Sequence, residues 1–173
     1  MEGNSGEHKQ TEGPETLMEE ERVTITNTWA KVYENKEAAG VAVLIRLFTS
    51  FPSTKQYFSE FRHMEDTQEM QSSAQLQKHA VLVMKALNAL VESVDDGEKT
   101  ASVVEKVAKS HARKHKVEPV NFKILAGVIL EVLVEVFPES FGVEAQRAWS
   151  KLMDVLYWHV TRVYSEIGWT STE

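Results

Sequence analysis

Apolar residues recur at three- and four-residue intervals along nearly the whole chain, which is the period of an amphipathic α-helix. Prolines, glycines and one Asp-Asp-Gly sequence interrupt this period where helices are expected to end. No segment shows the two-residue alternation of a β-strand, so the pattern predicts an all-α protein. The long helices that it predicts cover residues 16–35, 37–51, 73–94, 98–113, 119–137 and 143–167.

Local signals refine the ends of these helices. Thr16 and Glu19 have the spacing of a capping box, in which each side chain accepts a hydrogen bond from a backbone N–H at the helix start. Pro52 ends the second helix, because a proline inside a helix removes one hydrogen bond and clashes with the preceding turn. Residues 56–71 are predicted to be irregular, and they include an aromatic cluster of Tyr57, Phe58 and Phe61.

The chain of 173 residues suits one domain, which can bury roughly 70% of its unfolded surface without disulfides. Its first residues are polar and rich in glycine, a composition typical of a mobile terminus. The predicted organisation is a flexible acidic arm over 1–16, a single domain over 17–169 and a short tail over 170–173.

Charge and composition exclude several classes of function. The total charge is −7, and residues 1–22 account for −5 of it, with seven acidic and two basic side chains. Such an acidic surface is not expected to bind nucleic acid. The absence of cysteine excludes disulfides, thiolate metal sites and thiol catalysis. The longest apolar run, Ile124–Leu130, is far shorter than the roughly 20 residues of a membrane span, and we expect no secretory signal.

Two histidines occupy positions on apolar helix faces. His79 lies three residues after Leu76 and four before Val83, so it continues an apolar stripe. In the next helix His111 lies four residues after Val107, again in line with the stripe. A buried imidazole without a partner costs about 1–3 kcal/mol, so both rings need partners in the folded chain.

Those partners could be backbone carbonyls or a shared ligand, and the residues alone leave both interpretations open. His111 and His115 have the i,i+4 spacing that can chelate zinc, but Ala112 stands where a zinc protease has its glutamate. No cysteine or obvious carboxylate completes a structural zinc site. Because the predicted surroundings are apolar and aromatic, a large planar cofactor that carries its own metal fits better than a bare ion. Haem is the simplest such cofactor.

Several segments resemble one family. Ser110–Val117 (SHARKHKV) closely resembles the proximal-histidine segment of vertebrate myoglobin-like globins. Phe51–Phe58 (FPSTKQYF) resembles the globin turn that ends in a haem-stacking phenylalanine, and 21 residues separate Phe58 from His79, as in those globins. The likeness runs over 17–169. The segments that resemble the cytoglobin branch of the family, in its fish-like form, are Phe51–Asp66, His115–Glu131 and the ending near Glu166–Trp169.

The resemblance implies a globin fold of about seven to eight helices that enclose a haem b pocket. It makes His111 the proximal iron ligand, with Ser110 and a backbone carbonyl holding its second ring nitrogen. It makes His79 both the distal iron ligand and the catalytic residue. The other cofactor-binding residues that it implies are Leu44, Phe58, Val83, His115, Val117 and Phe122.

The implied function is that of a six-coordinate haem globin that binds dioxygen, nitric oxide and carbon monoxide. The implied reaction is nitric oxide dioxygenation, with nitrite reductase, superoxide dismutase or peroxidase as further activities, and it needs a cellular electron donor or reductase. The expected location is the cytoplasm, with the nucleus as a second compartment, and a non-covalent homodimer is compatible with the chain. The alternatives are a reversible dioxygen storage or transport globin and a haem-based redox or gas sensor.

The chain also departs from the cytoglobin pattern. Cytoglobins commonly carry two cysteines whose disulfide is thought to tune the distal histidine, and the matching positions are Lys36 and Val81. Leu82 replaces a basic residue that often follows the distal histidine, and Asn121 stands where an aromatic residue is more usual. We therefore expect the hold of His79 on iron to be set without a redox switch.

Overall fold

The computed structural model describes residues 14–58, 60 and 63–169, apart from the side chains of Lys114 and His115. Residues 1–13 of the predicted arm, the predicted tail over 170–173, Phe61 and the predicted role of the His115 side chain therefore lie outside the described residues. Within the described part the chain contains no strand. Its elements are α1 (Glu19–Tyr33), α2 (Lys36–Ser50), a 3₁₀ helix (Pro52–Tyr57), α3 (Thr67–Ser72), α4 (Ala74–Glu92), α5 (Gly97–Ser110), a π-helical turn (His111–His115), α6 (Val120–Val136) and α7 (Val143–Glu166).

The all-α prediction is confirmed, with seven α-helices and one 3₁₀ helix in the described residues. The three- and four-residue spacing of apolar residues predicts the long helices correctly, because the buried face of each helix is continuous along its length. Ser73 caps α4, since its Oγ accepts a hydrogen bond of 3.1 Å from the backbone N–H of Leu76. Among the described residues no helix is both long enough and apolar enough to cross a membrane.

Three local predictions are wrong. The first helix begins after Met18, whose N–H donates to the Glu21 carboxylate at 2.7 Å, so the capping box of Thr16 and Glu19 does not form. Leu17 lies in the hydrophobic core, and this contact sets the helix start. The stretch predicted to be irregular contains α3, and the helix predicted to reach residue 113 ends at Ser110 in a π-helical turn.

The helices pack around one hydrophobic core. α2 lies against α4 and α6, and α7 lies against α1, α5 and α6. The indole Nε1 of Trp149 in α7 donates to the Thr28 Oγ1 in α1 at 2.8 Å, which ties the first and last helices together. Lys151 binds the Glu21 carboxylate at 2.8 Å across the same pair of helices, and this hydrogen bond holds the pKa of Glu21 below its ordinary value.

Gly40 is the point of closest approach between α2 and α4. A Cβ added there would lie 2.8 Å from the backbone carbonyl oxygen of Ala80 and 2.9 Å from the Cγ of Met84. The backbone oxygen cannot rotate away as a side chain can. Only glycine therefore allows the two helices to cross at this distance, and Ala80 directly follows His79.

We expect Gly40→Ala to lower the free energy of unfolding by about 1–3 kcal/mol, because the new methyl group forces the two backbones apart. Gly127→Ala in α6 is the matched control, since no atom lies within 4 Å of a Cβ added there. That control should raise the stability by about 0.5–1 kcal/mol through helix propensity. Urea unfolding of both variants at one low protein concentration measures the difference, and equal stabilities would contradict the close crossing.

Candidate haem pocket

A cavity lies between α4 and α5, and His79 and His111 both line it. Its inner part has a volume of about 260 Å³ and extends under α6 to Leu156 of α7. A second part of about 100 Å³ lies toward α2 and the 3₁₀ helix. The two parts are adjacent, and five residues line both of them: His79, Val83, His111, Phe122 and Leu125.

The register of α4 brings His79 to this cavity. The fully buried ridge of α4 runs through Leu76, Ala80 and Met84, which pack into the core. His79 and Val83 lie beside that ridge and are only half-buried, and both line the cavity. The sequence pattern had placed both in the core stripe, and the structure shows that this part of the stripe faces open space.

Aromatic side chains hold the ring of His79 from the side of the 3₁₀ helix. The ring centroids of Phe58 and His79 are 4.9 Å apart with the planes at 90°, an edge-to-face contact. Phe48 of α2 contacts Phe58 in turn at 5.1 Å and 65°. Three rings in edge-to-face contact therefore link the buried core to the side of the cavity where His79 lies.

His111 is held through both its ring and its main chain. The ring Nδ1 lies 2.9 Å from the Val107 carbonyl oxygen. Because a carbonyl only accepts hydrogen bonds, Nδ1 is the donor, and in a neutral ring this leaves Nε2 as the nitrogen with a free lone pair. The His111 carbonyl oxygen accepts hydrogen bonds from the backbone N–H groups of Lys116 and Val117, the latter at 3.0 Å.

These hydrogen bonds close the π-helical turn behind His111. Lys116 ends the turn in the left-handed conformation with φ at 56°, which is uncommon for a residue other than glycine. Short π-helical stretches occur frequently at functional sites. The sequence predicted a plain helix here, because hydrophobic spacing carries no signal for a single widened turn.

Tyr164 of α7 anchors the segment that follows this turn, and the sequence analysis did not single it out. Its buried hydroxyl donates a hydrogen bond of 2.6 Å to the Val117 carbonyl oxygen. Burial raises the pKa of Tyr164 to about 12, with a smaller contribution from Tyr57. Its ring packs on Phe122 at 6.3 Å, and Phe122 packs on the His111 ring at 5.3 Å. In the sequence Tyr164 has only the pattern of an ordinary core residue.

The structure brings most of the predicted pocket residues to the cavity. Those that line it together with the two histidines are Leu44, Phe58, Val83, Val117 and Phe122. Ser110 is half-buried and lies one residue before His111, whose ring pairs with the Val107 carbonyl. Thr54 and Tyr57 add polar groups to the cavity lining, which the sequence pattern does not indicate. The Asn121 side chain, also in this lining, donates a hydrogen bond to the Tyr57 hydroxyl at 3.4 Å.

The lining fits a planar apolar cofactor with its own metal better than a bare ion. Within the described ranges, no three histidine or acidic side chains converge as metal ligands. The cavity instead offers two imidazoles among side chains that are mostly aliphatic or aromatic. Such a pair could supply nitrogen ligands to the metal of a metalloporphyrin.

The globin family profile matches residues 41–160, which include both histidines of the cavity. The match covers more than half of the chain. The chain therefore belongs to the globin family, and with it to the haem proteins that bind diatomic gases.

Within that family the chain is similar to the cytoglobins of two fishes. Cytoglobin-1 of Danio rerio is 52% identical over 174 residues, which cover 100% of this chain and 99% of that protein. Cytoglobin-2 of Danio rerio is 55% identical over 166 residues, with coverages of 94% and 93%. Cytoglobin-2 of Oryzias latipes is 54% identical over 158 residues, with coverages of 91% and 88%. The predicted likeness to vertebrate cytoglobins is confirmed.

We expect Tyr164→Phe to lower the free energy of unfolding by about 1–3 kcal/mol, because it leaves the Val117 carbonyl oxygen buried without its hydrogen bond. Tyr157→Phe on the same helix is the control, and it should change stability by less than about 0.5 kcal/mol because that residue is half-exposed. Urea unfolding measures both. Equal effects of the two substitutions would rule out the anchoring role of Tyr164.

Proposed function

We propose that the cavity holds haem b between His111 and His79, with His111 as the proximal ligand. The observation that carries this proposal is the hydrogen bond between the His111 Nδ1 and the Val107 carbonyl. It sets the tautomer in which Nε2 is the ligating nitrogen, and it increases the basicity of the ring. Leu44, Phe58 and Val83 then form the distal wall, and Val117 and Phe122 form the proximal edge, with Ser110 and His115 as further cofactor contacts.

His79 would be the second iron ligand in this proposal, which would make the haem six-coordinate when no gas is present. When bound, haem supplies reversible binding of diatomic gases and one-electron redox chemistry. His79 would compete with the gas, and a histidine bound for about 99% of the time would lower the apparent gas affinity about a hundredfold. The N–H of His79 could also donate a hydrogen bond to dioxygen inside the cavity.

We propose nitric oxide dioxygenation as the reaction, with His79 as the catalytic residue. Nitric oxide, dioxygen and one electron give nitrate, so each turnover consumes an electron from a cellular donor or reductase. A competing distal histidine suits such turnover better than simple dioxygen storage, because it lowers the occupancy that a store requires. Nitrite reductase, superoxide dismutase and peroxidase are further proposed activities, and the proposed location is the cytoplasm, with the nucleus as a second compartment.

The coordination proposal is tested by the visible absorption spectrum of the dithionite-reduced, gas-free protein. We expect sharp low-spin bands that give way to a broad high-spin band in His79→Leu, because the substitution removes the second axial ligand. His159→Gln changes a half-buried histidine of α7 outside the cavity lining and should leave the bands unchanged. A high-spin spectrum in the unsubstituted protein would favour the dioxygen store, and absence of haem absorption would refute the assignment.

The reaction proposal is tested by the consumption of nitric oxide in the presence of dioxygen and a reductant. We expect repeated turnovers with one nitrate formed per nitric oxide consumed, because the products balance only with dioxygen and one electron. Removal of the reductant should limit the reaction to a single turnover per haem. A stoichiometric reaction that no reductant can extend would leave storage or sensing as the function.

A further inference from the structure

The chain turns back on itself where α7 ends. The N–H of Gly168 donates to the Ser165 carbonyl oxygen at 3.1 Å, and the N–H of Trp169 donates to the Tyr164 carbonyl oxygen at 3.0 Å. Gly168 is in the left-handed conformation, with φ at 73°. These two hydrogen bonds and this conformation are those of a Schellman motif, the turn with which many helices end. The turn therefore brings Trp169 back against the last residues of α7.

Trp169 packs on Tyr164, the residue whose hydroxyl holds the Val117 carbonyl. The centroids of the two rings are 5.3 Å apart with the planes at 68°, which is an edge-to-face contact. Trp169 is half-buried and packs against the hydrophobic core. Its indole Nε1 is buried and has no hydrogen-bond partner among the described residues. Within that part of the chain, packing and not a hydrogen bond holds the indole in place.

Tyr164 is connected to His111 in two ways. Its hydroxyl donates to the Val117 carbonyl oxygen at 2.6 Å, and the Val117 N–H donates in turn to the His111 carbonyl oxygen at 3.0 Å. Its ring also packs on Phe122 at 6.3 Å, and Phe122 packs on the His111 ring at 5.3 Å. One path therefore reaches the backbone of His111 and the other reaches its imidazole, and the ring of Trp169 packs on the residue where both begin.

We propose that the turn at Gly168 and Trp169 positions His111 by acting through Tyr164. The indole restrains the Tyr164 ring, which keeps the hydroxyl on the Val117 carbonyl and limits opening of the π-helical turn behind His111. Trp169 does not line either part of the cavity, so it is a positioning residue and not a ligand. The effect on an iron bond rests on the proposed function, in which His111 is the proximal ligand. The effect on the π-helical turn does not require a cofactor.

Hydrogen exchange of the backbone N–H groups of Lys116 and Val117 measures this positioning, because both groups donate to the His111 carbonyl oxygen. We expect Trp169→Ala to speed their exchange about tenfold or more relative to the N–H groups of α4, because the ring contact that restrains the segment is lost. Trp169→Phe should keep the exchange close to that of the unsubstituted protein. It retains an aromatic ring and removes only an Nε1 that has no partner among the described residues.

A second pair of variants tests the turn without changing the indole. No atom lies within 4 Å of a Cβ added to Gly168, so Gly168→Ala acts through the left-handed backbone and not through a clash. We expect it to speed exchange at the same two N–H groups about fivefold or more. Gly168→Asn should have a smaller effect, because asparagine tolerates this conformation. Trp158→Ala is the control, since that ring packs on His159 in the same helix, and it should leave both groups unchanged.

Resonance Raman spectra of the dithionite-reduced, gas-free protein with His79→Leu give a second readout. We expect added Trp169→Ala to lower the frequency of the stretching band between iron and His111, because a less restrained imidazole binds less tightly, and Trp169→Phe to restore it. Unchanged exchange in Trp169→Ala would overturn the proposal, as would an equal increase along the whole chain or an unshifted band. Exchange can be measured without haem, so a protein that binds no haem would refute the proposed function and still give a result for the turn.

Discussion

The hydrogen bond between the His111 ring and the Val107 carbonyl is the constraint on which the pocket depends. It selects one tautomer and one orientation of the ring, and it does so from within the same helix. The main chain of His111 is held equally firmly, because its carbonyl oxygen accepts two backbone N–H groups beyond the π-helical turn. The left-handed Lys116 makes that closure sterically costly, and the hydroxyl of Tyr164 holds the chain just beyond it. On the His111 side of the cavity, hydrogen bonds therefore hold both the backbone and the imidazole ring.

The side of the cavity at His79 is built from packed rings. Phe48 is part of the core, Phe58 packs edge-on against it, and His79 packs edge-on against Phe58. Such contacts restrain the position of a ring. The proposed chemistry requires one nitrogen that stays in place, and the hydrogen bond of the His111 ring to the Val107 carbonyl suits that role.

Much of this arrangement could be predicted from the sequence, and the exceptions share a physical cause. The periodic apolar faces placed the long helices, and the interruptions of those faces at His79 and His111 pointed to the pocket. The pattern could not separate a side chain that packs in the core from one that faces a cavity, so it placed Val83 in the apolar stripe, whereas Val83 lines the cavity. The π-helical turn and the role of Tyr164 depend on single hydrogen bonds to backbone carbonyls, which hydrophobic periodicity does not encode. The start of α1 depends on the burial of Leu17, a tertiary contact that overrides a local capping signal.

The glycine contact between α2 and α4 has a consequence for how fast the distal side can respond. With Gly40 close against the Ala80 carbonyl, there is little room for α4 to move toward α2 one residue away from His79. In the proposed haem pocket, His79 would therefore enter and leave through rotation about its own side-chain bonds. Rotamer changes take picoseconds to nanoseconds when a side chain is unhindered, whereas helix shifts take microseconds to milliseconds. In that proposal, the delay before a gas molecule gains access would be governed by the strength of the bond between the imidazole and the iron, while α2 and α4 keep their positions.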